Sequence, residues 1–231
     1  MTEAPQEAKA AQVEIRTEYS WTDSTPAHNH GVLLPALTKI LERAEGRTLI
    51  DLGCGNGSLT AKIADLGYSR AVGVDSAKTG IQHAEQNSSV AIQFVPHDLS
   101  DPLPSELHHQ FDVALAAEVV EHLFLPRELF RRANEALVPG GILILTTPYH
   151  GWLKNVALAM TNRMDEHWSP GWDYGHIKFF SRATLNRLAH EFGYHEESFH
   201  RVGRIPLLAM SMISVFTRGS NASSESGRQL R

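Results

Sequence analysis

The segment Leu49-Ile50-Asp51-Leu52-Gly53-Cys54-Gly55-Asn56-Gly57-Ser58 constrains this chain more than any other stretch. An apolar run passes through a carboxylate, three glycines follow at alternate positions, and a helix-like sequence starts at once. Glycine supplies positive φ, or room for the backbone to approach a ligand. A strand that runs through such a loop into a helix forms the ligand-binding edge of a parallel α/β sheet.

The rest of the chain repeats that alternation. Strand-like runs fall at Thr48–Asp51, Ala71–Asp75, Ala91–Val95, Asp112–Ala116 and Ile142–Thr146. Amphipathic helices are predicted near Leu59–Leu66, Lys78–Glu85 and Glu128–Leu137, the last stopped by Pro139-Gly140-Gly141, and a first helix at Val32–Arg43. Glu196–Val202 and Met210–Thr217 read as a closing strand pair, and Ser181 as the N-cap of a helix running to Phe192. The fold expected is a doubly wound, mostly parallel seven-stranded α/β sheet with helices on both faces. Residues 1–30 read as a flexible tail or cap, 31–218 as the domain, and 219–231 as a disordered serine-rich tail. Between strands, about residues 150–177 form an aromatic, helical insertion, read as a lid or as a helical pair packed on the sheet. Its Met and Trp residues are expected in the core or the pocket wall.

Composition narrows the class. At 231 residues, 42% hydrophobic and 20% charged, the chain suits one globular domain. No apolar run is long enough to span a bilayer. The N-terminal stretch has no apolar signal core, and Cys54 is the only cysteine, so a reducing, cytoplasmic setting is expected. A net charge of −5 and a longest basic cluster of Arg131-Arg132 argue against a nucleic-acid partner. Oligomeric state is left open.

The glycine spacing separates two ligand classes. A dinucleotide site has G-x-G-x-x-G, whereas the third glycine here comes one residue early. Asp51, two residues before the first glycine, would repel a pyrophosphate but suits a cationic ammonium or sulfonium. Asp75 closes the next strand, about 24 residues further on, where an acid accepts ribose hydroxyls.

Taken in order, the motifs resemble those of the Rossmann-like S-adenosylmethionine-dependent methyltransferases. Asp51 to Gly57 resembles their first motif and Gly73-Val74-Asp75 the ribose-binding one. His97-Asp98-Leu99 resembles the segment that bonds the adenine amine. Phe111 to Leu123 and Leu137-Val138-Pro139-Gly140-Gly141 resemble the fourth-strand motif and the turn before the fifth strand. The resemblance implies S-adenosyl-L-methionine as cofactor, held by Asp51, Gly53, Cys54, Gly55, Asn56, Gly57, Asp75, Ser76, Asp98, Leu99 and Glu118. Glu118-Val-Val-Glu121-His122-Leu123 with Thr146-Thr-Pro148-Tyr149 is similar to the ubiquinone-biosynthesis O-methyltransferase group, which implies O-methylation of a small molecule.

The acceptor side allows several readings. If a helix starts at Glu118, then Glu121 and His122 share its face. In one reading His122 is a general base for the acceptor hydroxyl, with Glu118 beside it. In another, Glu118, Glu121, His122 and the later His176 hold a divalent metal such as Mg²⁺, an arrangement similar to that of metal-assisted RNA 2′-O-methyltransferases. A third leaves these residues as helix caps and surface. A non-catalytic S-adenosylmethionine-binding protein is the alternative from another class. Tyr19, Trp21, His150, Asp173 and Tyr174 are lesser candidates for contacts to cofactor or acceptor.

Overall fold

The computed structural model describes residues 20–27, 29–44, 46–86, 92–168, 170–203, 205 and 208–219. Tyr19, most of the expected N-terminal tail and residues 220–231 lie outside them. Seven strands form one sheet: β1 Thr48–Leu52, β2 Arg70–Asp75, β3 Ile92–Pro96, β4 Phe111–Ala117, β5 Leu137–Pro148, β6 Tyr194–Val202 and β7 Ser211–Arg218. Their order is β3-β2-β1-β4-β5-β7-β6. All neighbours are parallel except β7, which runs antiparallel to both β5 and β6. The closing strand pair is therefore a hairpin whose second strand inserts beside β5.

Among the described residues, seven α-helices connect or flank these strands: α1 His30–Leu41, α2 Ser58–Ala64, α3 Lys78–Gln86, α4 Arg127–Ala136, α5 Trp152–Met160, α6 Met164–Trp168 and α7 Arg182–His190. Strand alternation sorts the core into two layers. Ile50, Leu52, Val72 and Val74 face one side with Leu129, Phe130 and Leu185 from α4 and α7. Leu49, Ala71, Val113 and Leu115 face the other, with Leu33, Leu37 and Ile63 from α1 and α2. Period two places Asp51 on the face of Leu49, beneath α2. α7 starts with the expected cap: Ser181 Oγ accepts from Thr184 N at 3.2 Å, and Thr184 Oγ1 accepts from Ser181 N at 2.9 Å.

Three expectations change. Leu137 opens β5 rather than closing α4, because it pairs with Phe111. The turn Pro139-Gly140-Gly141 thus lies within the long β5, with Gly140 at φ +81°. No helix starts at Glu118. The chain turns there, with Glu118 at φ +57°, and helix resumes only at Arg127. Finally, Trp152 and Met160 of the insertion are 72% and 82% exposed, in neither core nor pocket wall.

Candidate active site

Parallel register aligns the carboxyl ends of the strands. Leu52 pairs with Val74, and Asp51 pairs with Gly73 on one side and Leu115 on the other. The strand order reverses between β1 and β4, and the crevice opens there. A cleft of about 1670 Å³ follows this edge. It is lined by Asp51, Gly53, Cys54, Gly55, Asn56, Asp75, Ser76, Asp98, Leu99, Glu118, His122 and His176. One cleft thus gathers most of the residues singled out in the sequence. Gly57 and Glu121 lie behind its wall.

The glycine loop is shaped by its own backbone. Gly53 N and Cys54 N both donate to Val74 O, at 2.8 and 3.0 Å, tying the loop to the end of β2. Gly53, Gly55 and Gly57 have φ of +88°, +56° and +72°. A Cβ on Gly57 would lie 2.6 Å from Ala84 Cβ and 2.7 Å from Phe94 Cζ. Gly57→Ala therefore meets both a strained φ and a rigid neighbour. A loss of about 2–4 kcal/mol is expected, read as a lowered denaturant midpoint. An unchanged midpoint would mean that the loop is free to shift. Cys54 is buried, and burial pushes its thiol well up, which suits a small wall residue and no redox role.

Two carboxylates face the loop. Asp75 Oδ2 accepts from Gly55 N at 2.8 Å, and Oδ1 from Ala77 N at 2.7 Å. Each oxygen keeps a second lone pair. Burial raises the Asp75 carboxyl above the ordinary value. Asp51 is 1% exposed. Its Oδ2 accepts from Thr60 Oγ1 at 2.6 Å, while Oδ1 has no protein partner. Burial pushes its pKa up to about 7. An orphaned buried oxygen facing a cleft fits a cationic ligand group.

Residues 20–27 cross over this loop. Trp21 N donates to Thr79 Oγ1 at 3.0 Å, and Asn56 Nδ2 donates to the carbonyls of Asp23 and Thr25 at 3.0 and 2.9 Å. The Trp21 ring lies where a side chain on Gly55 would sit. Asp98, past the end of β3, is exposed at the far wall and accepts from Ser100 N at 2.8 Å.

On the acceptor side, Glu118 Oε1 accepts from Thr146 Oγ1 at 2.9 Å and Oε2 from Ser211 Oγ at 3.3 Å. The Asn29 side chain also bonds it, and the Lys154 ammonium attracts it, yet burial still lifts its pKa to about 7. Glu121 is 1% exposed; Oε2 accepts from Thr147 Oγ1 at 3.0 Å and Oε1 has no protein partner. Burial, then repulsion from Glu118, pushes Glu121 well above the carboxylate range.

His122 Nδ1 lies 3.0 Å from Tyr174 O. Burial lowers its pKa although the Tyr174 and Gly175 backbone favours the charged form. A neutral ring that donates from Nδ1 to the Tyr174 carbonyl would present Nε2 as an acceptor. The His176 ring stands 4.9 Å from that of His122 and Trp172 stands 6.5 Å away, both edge-on. Ligand atoms of Glu121, His122 and His176 lie within 4.8 Å of one another. Three of the four suggested metal ligands thus converge. Glu118, held by Thr146 and Ser211, stands outside that group.

Sequence reasoning gave no role to Thr146, Thr147, Ser211, Asn29 or Lys154. Thr146-Thr147 carried a signal, two hydroxyls ending an otherwise apolar strand. Ser211 and Asn29 carried none. His150 packs edge-on against Phe179 at 5.1 Å, and does not line the cleft.

Strand-end carboxylates, a glycine loop of positive φ and a crevice at the sheet's switch point define an α/β protein built around a nucleoside-type ligand. A methyltransferase-domain family model matches residues 27–198. The chain belongs to the methyltransferase family, on the Rossmann-like fold. It is 38% identical over 119 residues to a ubiquinone biosynthesis O-methyltransferase from Caulobacter sp. strain K31, covering 50% of this chain and 46% of that one. To its namesake from Ruegeria pomeroyi it is 34% identical over 153 residues, 64% of this chain and 60% of that one. The chain thus spans about half the length of such relatives. Among solved structures, magnesium protoporphyrin IX methyltransferase from Synechocystis PCC 6803, with bound S-adenosylhomocysteine, has a similar fold, with TM-score 0.61, 16% identity, and 81% and 82% of the two chains covered.

Proposed function

We propose that this chain transfers the methyl group of S-adenosyl-L-methionine to an oxygen of a small-molecule acceptor. The observation that carries the reading is that one cleft joins the Asp51–Asp75 glycine-loop wall to His122, whose Nδ1 is held on the Tyr174 carbonyl. The residues fit the cofactor. Asp75 has spare lone pairs for ribose hydroxyls, and the orphaned Asp51 oxygen suits the methionyl ammonium. Bound, the cofactor supplies an already activated methyl. The chain's part is to align the acceptor and take a proton from its hydroxyl. His122 takes that proton at Nε2, and the Tyr174 carbonyl holds the ring in the required tautomer. Glu118 stands at the junction between the two halves of the cleft, with Thr146 and Ser211 holding its carboxylate in one orientation.

One observation favours a second reading for the acceptor step. Glu121 buries an oxygen with no protein partner, beside His122 and His176. A divalent cation held by these three would relieve that burial and lower the pKa of an acceptor hydroxyl. Two imidazoles and one carboxylate suit a transition metal better than Mg²⁺, which prefers an all-oxygen shell. The relatives named ubiquinone biosynthesis O-methyltransferases support an oxygen acceptor.

The first test is calorimetry of the whole chain with S-adenosylmethionine, S-adenosylhomocysteine and NAD. Micromolar binding of the two adenosyl ligands is expected. Asp75→Ala should weaken both by on the order of 10- to 100-fold, the worth of hydrogen bonds to a charged group. NAD binding in place of the adenosyl ligands would overturn the reading. A panel of phenols and hydroxy acids, with and without chelator, then tests the acceptor.

A further inference from the structure

Helix α4 buries a cation. Arg132 is 4% exposed, on the stripe that also buries Leu129 and Ala136. Its NH2 lies 3.0 Å from Glu135 Oε1 and 3.5 Å from Glu128 Oε2. Glu128 is already paired with the exposed Arg131, so Glu135 is the closer partner. Nε and NH1 of Arg132 have no hydrogen-bond partner among the described residues. Desolvating two charges offsets their attraction, and apolar residues in place of such a pair are often as stable. Two unmade N–H bonds add to that cost. What the guanidinium does supply is a fixed place for Glu135.

Glu135 in turn holds backbone. Its other oxygen, Oε2, accepts from Leu103 N at 2.9 Å, and His108 Nε2 donates to Leu103 O at 2.8 Å. Both backbone groups of Leu103 are thus held by side chains. Leu103 closes the loop that leaves the end of β3. At the start of that loop His97 N donates to Asp75 O at 2.8 Å. Within it, Asp101 N donates to Asp98 O at 3.0 Å and Ser100 N to Asp98 Oδ1 at 2.8 Å. The loop is pinned at both ends, and Asp98, Leu99 and Ser100 face the cleft between the pins.

The strand order places the base of the cofactor. With the ammonium at Asp51 on β1 and the ribose at Asp75 on β2, the purine continues outwards over β3, whose Pro96 pairs with Asp75. The exposed Asp98 lies just past that strand end. A carboxylate accepts hydrogen bonds and does not donate them, so it selects a base that presents an amine.

We propose that Arg132 is a positioning residue for the adenine: through Glu135 it fixes Leu103, and with it the loop that sets Asp98 against the amine of the base. The inference rests on the S-adenosylmethionine reading of the cleft and concerns only its base end.

The test is calorimetry of the full chain with S-adenosylhomocysteine and with S-inosylhomocysteine, in which a ring carbonyl replaces the amine. The wild type should prefer the adenosyl ligand by at least about tenfold, the worth of a hydrogen bond to a charged group. Arg132→Met should bring the two affinities to within a few-fold of each other, chiefly by weakening the adenosyl ligand. Arg132→Lys, which keeps a cation, should retain most of the preference. The double variant Arg132→Met, Glu135→Leu removes both charges, so its thermal unfolding should stay close to that of the wild type while the preference is still lost. A merely structural pair would move stability and spare the ratio. Both ligands report on the same folded fraction, so partial unfolding does not change that ratio. A preference retained by either methionine variant would overturn the proposal, as would a wild type that binds the two ligands equally. Binding of neither ligand would overturn the cofactor reading itself, and the proposal with it.

Discussion

Asp51→Asn is expected to stabilise the ligand-free protein above pH 7 while weakening its hold on S-adenosylmethionine. The stability effect follows from burial. The folded-state pKa is about 7, raised from 3.8 because the carboxyl is removed from water. Below about pH 4 the group is protonated in both states, and its titration contributes nothing. As the pH rises towards 7 the unfolded chain releases the proton while the folded chain keeps it, so stability falls. Above 7 the folded chain carries a buried charge, and the loss is complete. Asparagine stays neutral throughout, and its amide oxygen still accepts from Thr60. It also buries an N–H without a partner, which offsets part of the gain. A net gain of about 2 kcal/mol above pH 7 is expected, shrinking as the pH falls and turning to a loss near pH 4, where only the cost of the unpartnered N–H remains. For a chain of this size the gain above pH 7 is a rise of roughly 4–8 °C in Tm. Affinity for S-adenosylmethionine should fall by on the order of 10- to 100-fold, since the methionyl ammonium loses a charged partner. Thermal scans at pH 5 and pH 8, with calorimetry of the same samples, read both effects. A stability difference that does not change with pH would show Asp51 to be solvated. Unchanged affinity would reduce it to a scaffold residue.

His122→Ala should cost more in rate than any other single change, about 10²- to 10⁴-fold in methyl transfer, the range for loss of a general base. S-adenosylhomocysteine affinity should stay within a few-fold, because the imidazole lies on the acceptor side of Glu118. Single-turnover rates with an acceptor from the panel, set against calorimetry, separate the two. Glu121→Gln divides the two readings of that step. If a cation sits among Glu121, His122 and His176, the amide removes a charged ligand, and the rate should fall by at least about 10- to 100-fold and lose its sensitivity to chelator. If His122 works alone, the rate should hold within a few-fold and stability should rise above neutral pH, because Glu121 no longer has a charge to bury. A His122→Ala variant with full activity would remove the histidine from both readings.

Much of the sheet was legible because strand alternation and helical period act locally. Each of the five parallel strands sits within a few residues of the run that predicted it. The furthest departures are at the ends of β5, where Leu137 pairs with Phe111, a partner 26 residues earlier in the chain. The Asp51 and Asp75 wall was legible for a similar reason: strand ends and glycines place the carboxylates whatever surrounds them. The acceptor side was less so. Glu118, Glu121 and His122 would share one face if a helix began at Glu118, but the chain turns there through a positive φ. That turn sends Glu118 to Thr146 and Ser211 and leaves His122 with Tyr174 and His176. Ser211 reaches Glu118 from 93 residues away, a distance over which no sequence period carries information.

The sequence by itself determined a parallel α/β sheet, a glycine loop that excludes a dinucleotide fingerprint, and the carboxylates that face it. These depend on short-range sterics and on residue spacing. The tertiary structure alone decided which side chains share the acceptor end of the cleft, that residues 20–27 cross the glycine loop, and that α5 turns its lysine inwards and its tryptophan out. Those outcomes depend on what each buried polar group found to bond. Lys154 has the carbonyls of Ala209 and Met210, supplied by a segment some fifty residues further along, and with that cation turned inwards Trp152 and Met160 of α5 stand exposed.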